Sequence, residues 1–239
     1  MVLPIIPRLP SKLLFSEFLE YLVSPECVQE EDEQLPPMNE LSKQLEISQG
    51  KLREQLEVAK SLGLVDVNPR KGIRRLPYSF LPAVRQSLMI ALALDCWTNF
   101  AAFTDLRNQV EAGFWHPAVR QLTPDDHHKL RALISCAWEK LRRQPIEIPH
   151  LEHRELHLTI YHRLDNPFVL GILEAYWQAY ETVGLNLFTD YAYLDQVWQY
   201  HDHMVAAICT GDYDSGYDLL VAHKDLLAHR QILRPQPDN

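Results

Sequence analysis

The hydrophobic positions of this chain recur mostly at the spacing of amphipathic helices. Residues 11–23, 35–47 and 51–64 each place an apolar side chain at about every third or fourth position. Residues 64–76 switch to alternation around a turn that contains Asn, Pro and Gly, which predicts a short β-hairpin. The first part of the chain is therefore predicted to fold as helix, helix, helix and hairpin.

From residue 80 onward the pattern is helical almost throughout. Residues 80–113 are apolar with a period near that of an α-helix. Further helices are predicted at 124–143, 150–164, 167–181, 190–210 and 213–229. Short connections between long helices favour antiparallel neighbours in a bundle. The predicted fold class is mainly α, with an N-terminal winged helix-turn-helix followed by a C-terminal all-helical antiparallel bundle.

The charge distribution suggests what the N-terminal part binds. A winged helix-turn-helix places its second helix in a DNA major groove and its hairpin against the DNA backbone. The net charge is −9, so DNA binding would have to come from a local basic patch. Basic residues outnumber acidic ones between 41 and 76, at the second helix and at the hairpin tip. A small helical domain with a solvated basic hairpin is the alternative interpretation.

Residues 35–76 also resemble the DNA-binding domain of the GntR superfamily. LPPMNELS, ISQGKLREQL and SLGLVDVNPRKGI stand where the family has LPSERELA, VSRxPVREAL and a leucine-rich helix that runs through GLV into a wing. The resemblance implies DNA contacts at Asn39, Gln49, Lys51, Arg53, Arg70, Lys71 and Gly72. The family usually has arginine at positions 39 and 49, and only Arg53 is retained. These departures imply weaker DNA binding, binding to an atypical operator, or an interaction module that has lost operator binding.

Histidines are concentrated in the second half of the chain, where all eleven lie at or after position 116. Because each residue advances about 100° round a helix, their faces can be counted. Four of them fall within apolar stripes: His153, His157, His201 and His223. Two of these flank the predicted turn at Gly211 at similar distances, so an antiparallel pair would place them at one level. The spacing predicts one common layer of imidazoles inside the bundle.

Several buried imidazoles need a partner for each ring nitrogen. A divalent transition metal supplies one, and zinc or nickel is the expected ion because neutral imidazole suits both. The alternative is that each histidine is a hydrogen-bonded core residue. The four cysteines are scattered and form no CxxC pair, which is typical of reduced thiols and predicts a cytoplasmic protein. No stretch approaches about 20 consecutive apolar residues, so no membrane span is expected.

Residues 80–229 are similar to the FCD-type effector domain of the FadR-like branch of the GntR superfamily. The similarity lies mainly in LHLTIYHRLDNP, YHDHMVAAICTGD and VAH. It implies metal ligands at His157, His201 and His223, with His153 where the family has aspartate. It also matches Arg107 to an arginine that faces a cavity for a small organic acid, although a surface position is the alternative. The aromatic residues between 176 and 200 are predicted to line this cavity or to belong to the core.

Together these patterns predict a non-enzymatic, DNA-binding transcription regulator. Residues 1–76 form the DNA-binding domain, residues 77–232 bind metal and effector and dimerise, and residues 233–239 are a disordered tail. A homodimer is expected because one short helix reads too few bases for a specific operator. The alternative function is a metal-dependent phosphohydrolase, since His201-Asp202 matches the HD pair of helical phosphohydrolases.

Overall fold

The computed structural model of the chain describes most of its length. The described residues are 16–24, 27, 34–185 and 190–229, with side chains of the last helix described as far as His223. The predicted tail at 233–239 lies outside the described residues. Within them, no helix combines the length and the apolar character needed to cross a membrane.

The chain divides into two compact units, residues 1–86 and 87–239. The predicted fold class is confirmed, because the described residues form helices and one two-stranded sheet. The elements are α1 Glu17–Leu22, α2 Met38–Gln44, α3 Gln49–Ser61, β1 Val65–Asn68, β2 Gly72–Arg75, α4 Leu81–Leu94, α5 Cys96–Val119, α6 Pro124–Leu141, α7 His150–Tyr161, α8 Pro167–Thr182, α9 Tyr191–Thr210 and α10 Tyr213–His229.

The N-terminal unit packs α1 and α2 against α3, and α3 against the hairpin. Its core is apolar and closed to solvent; it includes Phe18, Leu35, Leu41, Leu52, Leu56, Val65 and Ile73. Helix α3 begins sharply because the hydroxyl of Ser48 accepts a hydrogen bond from the Lys51 backbone N–H at 3.1 Å. The helix ends at Ser61, and Gly63, just after the C-cap residue, has a φ of 70°, the left-handed conformation that commonly terminates helices.

The hairpin is antiparallel and tightly closed. Its pairing runs from Val65 opposite Arg75 to Asn68 opposite Gly72. The carboxamide oxygen of Asn68 accepts hydrogen bonds from the backbone N–H groups of Arg70 and Lys71, at 2.9 and 3.3 Å. An asparagine that bonds to the backbone two and three residues ahead stabilises a turn. We call residues 68–72 the wing.

The C-terminal unit is a bundle whose long helices surround one apolar core. Helix α5 packs on α7, α8 and α10, while α6 packs on α7 and α9, and α9 packs on α10. The core includes Trp115, Leu130, Leu156, Ile160, Trp198 and Ile208, all nearly or fully inaccessible to solvent. Gly211 has a φ of 80° and closes the short turn between α9 and α10, so these two helices are neighbours as predicted.

The apolar segment at 80–113 belongs to two helices rather than one. Asp95 leaves the helical conformation with a φ of −152°, and its carboxylate caps α5 by accepting from the Thr98 backbone N–H. Helix α5 then continues through Pro117 to Val119. An aspartate whose side chain bonds to backbone amides can interrupt a helix. The spacing of apolar residues is the same on both sides of such an interruption, so it did not predict this boundary.

Candidate metal centre and nucleic-acid interface

Four histidines from three helices converge inside the C-terminal unit. Helix α7 carries His153 and His157, α9 carries His201 and α10 carries His223. One ring nitrogen from each lies within 4.8 Å of the others. His157 and His201 are fully inaccessible to solvent, His223 is buried and His153 is partly exposed. The structure therefore brings together all four histidines that face counting selected, and we call them the histidine cluster.

The rings of the histidine cluster lie close to one another. The Nε2 atoms of His157 and His201 are 3.0 Å apart. The ring centroids of His201 lie 4.4 Å from those of His223 and 4.6 Å from those of His153. Nδ1 of His201 and Nε2 of His153 are buried and have no hydrogen-bond partner among the described residues. Buried polar atoms without partners are costly, so these nitrogens retain the capacity to bind a ligand.

Burial keeps the cluster in the neutral form that binds metals. Removal from water lowers the pKa of His201 well below its usual value, and the neighbouring His223 and His153 lower it further. Burial likewise lowers the pKa of His153, which keeps only part of its surface accessible. Neutral imidazoles offer a lone pair to a cation, whereas protonated ones would repel it. At neutral pH these two rings are therefore ready to act as ligands.

The donor set suits a divalent transition metal. A tetrahedral zinc site has Zn–N bonds of about 2.0–2.1 Å, which places its ligand atoms about 3.4 Å apart. The four ring nitrogens of the histidine cluster lie within 4.8 Å of one another, so they are spaced somewhat more widely than the ligand atoms of such a site. Four imidazole ligands of borderline softness match zinc and nickel better than the hard cations, which prefer oxygen. The residues present therefore fit the expected metal.

A buried ion pair adjoins the histidine cluster. Arg107 and Glu111 lie one turn apart on α5, 4% and 0% exposed, and their side chains approach to 2.8 Å. The guanidinium of Arg107 also lies 4.7 Å from the Tyr176 ring, in a cation–π contact. The alternative surface position for Arg107 is thus excluded, because this side chain points into the bundle.

Two small cavities open beside the histidine cluster. One has a volume of ≈ 20 Å³, and its lining includes Arg107, His153, Tyr176, Trp177 and His223. The other also has a volume of ≈ 20 Å³, and both are lined by His153, Tyr180 and Tyr193. Each cavity is far smaller than the roughly 300 Å³ of a typical small-molecule pocket and has room for about one water molecule. Several of the aromatic residues between 176 and 200 therefore line cavities, while Tyr176 and Trp177 are also almost fully buried.

Two further polar residues close to the histidine cluster in the sequence have other partners. His150 lies 2.9 Å from Glu181 through its Nε2 atom and stacks on Tyr180, so its ring is occupied outside the cluster. Asp202 is exposed, and its carboxylate accepts a hydrogen bond from the Trp138 indole at 3.2 Å. The buried His201 and the exposed Asp202 therefore point in different directions, which is not the shared-metal arrangement expected of an HD phosphohydrolase.

All seven residues predicted to contact DNA are exposed in the N-terminal unit. Asn39 lies on α2; Gln49, Lys51 and Arg53 lie on the first turns of α3; Arg70, Lys71 and Gly72 lie on the wing. The N-terminal residues of a recognition helix are those that reach base edges and phosphates. Exposure leaves all of them accessible to a duplex.

Lys51 is not a free cation, however. Its ammonium group is bonded to the carboxylate of Glu17 on α1, and the Gln55 amide donates to the same carboxylate. These contacts, the Lys51 bond first among them, lower the pKa of Glu17 to about 2. The carboxylate is therefore ionised at every physiological pH. A DNA phosphate has to compete with Glu17 for this lysine.

The wing requires glycine at position 72. Its φ is 82°, and an added Cβ atom would lie 2.6 Å from Nε2 of Gln34. That amide donates to the backbone carbonyls of Lys71 and Ile73, at 2.6 and 3.1 Å, and so ties the wing to the segment before α2. Gly72 thus has a structural role in the N-terminal unit in addition to the predicted DNA contact.

Comparison with known families identifies the C-terminal unit. The FCD domain family matches residues 102–226, which is more than half of the chain. The chain belongs to the FCD domain family. The matched range contains Arg107, Glu111 and the whole histidine cluster. No curated protein matches the sequence.

Solved structures of two bacterial proteins resemble the chain over most of its length. GntR of Streptococcus agalactiae matches with a TM-score of 0.66 at 16% identity, over 88% of this chain and 94% of that chain. McbR/YncC of E. coli is 20% identical, with a TM-score of 0.46, over 83% of this chain and 86% of that chain. The predicted FCD-type domain is confirmed by the family match, and the likeness to the Streptococcus agalactiae protein shows a shared fold.

Two residues of these sites escaped sequence reasoning. Glu17 lies 34 positions before Lys51, and no periodicity connects them. Glu111 lies 46 positions before His157, but its spacing from Arg107 was a usable signal. Residues four apart share a helix face, so an arginine that points inward implies an inward carboxylate at the same face.

Proposed function

We propose that this FCD-family chain is a DNA-binding transcription regulator that binds a divalent metal, zinc or nickel, through the histidine cluster. The ligands are His153, His157, His201 and His223. The single observation that carries this proposal is the convergence of four ring nitrogens from α7, α9 and α10 within 4.8 Å. Apolar packing alone would not select four imidazoles for one buried layer, because each loses its hydrogen bonds to water.

The proposed effector is a small organic acid that enlarges the cavity beside the cluster when it binds, since the cavity of ≈ 20 Å³ holds about one water molecule. Arg107 offers a guanidinium on the cavity wall, and arginine pairs well with carboxylates through two parallel hydrogen bonds. Its Nε atom is buried without a hydrogen-bond partner among the described residues, so it retains capacity to donate. The effector carboxylate would share Arg107 with Glu111 and would lie close to the metal.

The proposed response to the effector is a change in DNA affinity. Residues 1–76 bind the operator, and residues 77–232 bind metal and effector and form the homodimer. DNA contacts come from Asn39, Gln49, Lys51, Arg53, Arg70, Lys71 and Gly72. Effector binding changes operator affinity only if the two DNA-binding states hold the effector differently. A dimer provides such states, because helix shifts in the bundle alter the spacing of its two recognition helices.

The proposed metal binding is tested by elemental analysis of the purified protein after loading with zinc or nickel. We expect one equivalent per chain in the wild type and less than a tenth of that in His157→Ala/His223→Ala. The matched control is His128→Ala/His203→Ala, which removes two exposed histidines and should retain full loading. Equal loading in both double variants would refute the proposed site.

The proposed DNA binding is tested by a gel shift with the region upstream of the chain's own gene. We expect binding that weakens steeply with salt, since lysine and arginine contacts to phosphate release counterions. Arg53→Ala and Arg70→Ala should each weaken it. A folded, metal-loaded protein that shows no salt-sensitive DNA affinity, yet retains a stoichiometric protein partner, would indicate an interaction module instead.

A further inference from the structure

The fully buried carboxylate of Glu111 has two close partners. Its Oε1 atom lies 2.8 Å from a terminal nitrogen of Arg107 and 3.0 Å from Nδ1 of His157. All three side chains are at most 4% exposed. A carboxylate removed from water is costly unless charged or hydrogen-bonded partners replace the solvent. Pairing with Arg107 meets that cost, but it does not explain why the carboxylate also lies against a histidine of the cluster.

His157 can satisfy only one of these neighbours at a time. An imidazole nitrogen either donates a proton or accepts one, an ionised carboxylate only accepts and a guanidinium only donates. Nδ1 of His157 lies 2.9 Å from Arg107 and 3.0 Å from Glu111. With the proton on Nδ1, the ring donates to Glu111. With the proton on Nε2, Nδ1 instead accepts from Arg107, so each tautomer has its own partner.

Metal binding selects between the two tautomers. Nε2 of His157 is the nitrogen that faces His201 in the cluster, at 3.0 Å from its Nε2 atom. To bind a cation there, Nε2 must present a lone pair, and the proton must reside on Nδ1. The acceptor for that proton is then Glu111. A carboxylate behind a ligating histidine orients the ring and makes its lone pair more basic.

We infer that Glu111 is the positioning residue of the metal centre: it holds His157 in the tautomer whose Nε2 binds the ion, and Arg107 alone would hold the opposite tautomer. The inference rests on the metal site of the proposed function. It assigns to α5, which carries none of the four histidines, a direct influence on metal affinity. It also gives the Arg107–Glu111 pair a purpose beyond charge neutralisation.

The test is the zinc affinity of Glu111→Gln, measured by competition with a chromophoric chelator. Glutamine keeps the size of the side chain but removes the negative charge that favours Nδ1–H. We expect zinc binding to weaken by about 10–100-fold, the usual effect of losing a hydrogen-bond partner behind a metal ligand. The matched control is Glu155→Gln, a carboxylate on α7 that is half exposed and bonded to Lys129, and its affinity should equal that of the wild type.

A second measurement reports the tautomer directly and needs no variant of Glu111. In ¹⁵N-histidine-labelled, zinc-loaded wild type, the His157 ring should carry its proton on Nδ1, with zinc on Nε2. A His157 ring that binds zinc through Nδ1 would overturn the inference even if Glu111→Gln fails to fold. If the wild type binds zinc and Glu111→Gln binds it equally well, only the inference fails. If the wild type binds no zinc or nickel, the proposed metal site fails with it.

Discussion

Glu17 restrains a lysine that the proposed DNA interface needs, so removing its charge should strengthen DNA binding. In the structure the Glu17 carboxylate binds the Lys51 ammonium, and the two side chains are 42% and 51% exposed. Substitution Glu17→Gln removes the ion pair but keeps an oxygen that accepts from the Gln55 amide. Half-exposed ion pairs contribute little to stability, so the N-terminal unit should stay folded. Lys51 would then be available to a phosphate.

The size of the effect follows from counterion release. Each additional phosphate contact steepens the plot of log affinity against log salt concentration by about 0.9. The proposed homodimer would carry two copies of Lys51, so the slope should steepen by about 1.8. Between 50 and 200 mM salt, the affinity of the variant should therefore fall by about tenfold more than that of the wild type.

The measurement is fluorescence anisotropy of a labelled duplex over that salt range. The control is Glu20→Gln, which lies on the same helix and changes the net charge of −9 by the same single unit, but lies outside the cluster of Glu17, Lys51 and Gln55. A general electrostatic effect would move both variants equally. If Glu17→Gln has the slope of Glu20→Gln, then Lys51 does not contact phosphate and the reasoning is wrong.

Three other outcomes can be checked with stability measurements. Gly72→Ala should cost about 1–3 kcal/mol in urea unfolding because of its positive φ and the close Gln34 amide, and an unchanged midpoint would contradict this account of the wing. Burial holds the pKa of His201 below 6.5, so the unfolded chain binds more protons than the folded chain in acid. The free energy of unfolding of the metal-free protein should therefore be greatest above about pH 6.5. Below that pH it should decrease by about 1.4 kcal/mol per pH unit for each such histidine. A free energy of unfolding that does not change with pH would show that these histidines are not buried in the neutral form. Zinc at 100 times its dissociation constant should raise the free energy of unfolding by about 2.7 kcal/mol. A chelator should reverse this gain, which should be absent from His157→Ala/His223→Ala.

Much of the candidate site was predictable because helical geometry converts residue number into direction and height. His201 and His223 flank Gly211 at similar distances, and both belong to apolar stripes, so their convergence required no knowledge of long-range packing. The wing was predictable for a similar reason, since its Asn, Pro and Gly residues select a turn locally. The break at Asp95 was not, because a capping carboxylate and an exposed helical one look alike in the sequence.

The sequence by itself determined the fold class, the order of the elements and the shared depth of the histidine cluster, because each depends on local periodicity and turn chemistry. Only the tertiary structure decided which charged groups meet: Glu17 with Lys51, and Glu111 with both Arg107 and His157. For a carboxylate on one helix, the sequence offers many lysine, arginine and histidine residues as possible partners. Its actual partner depends on the relative rotation and translation of the helices when their apolar faces pack. That arrangement cannot be read from any one segment of the sequence.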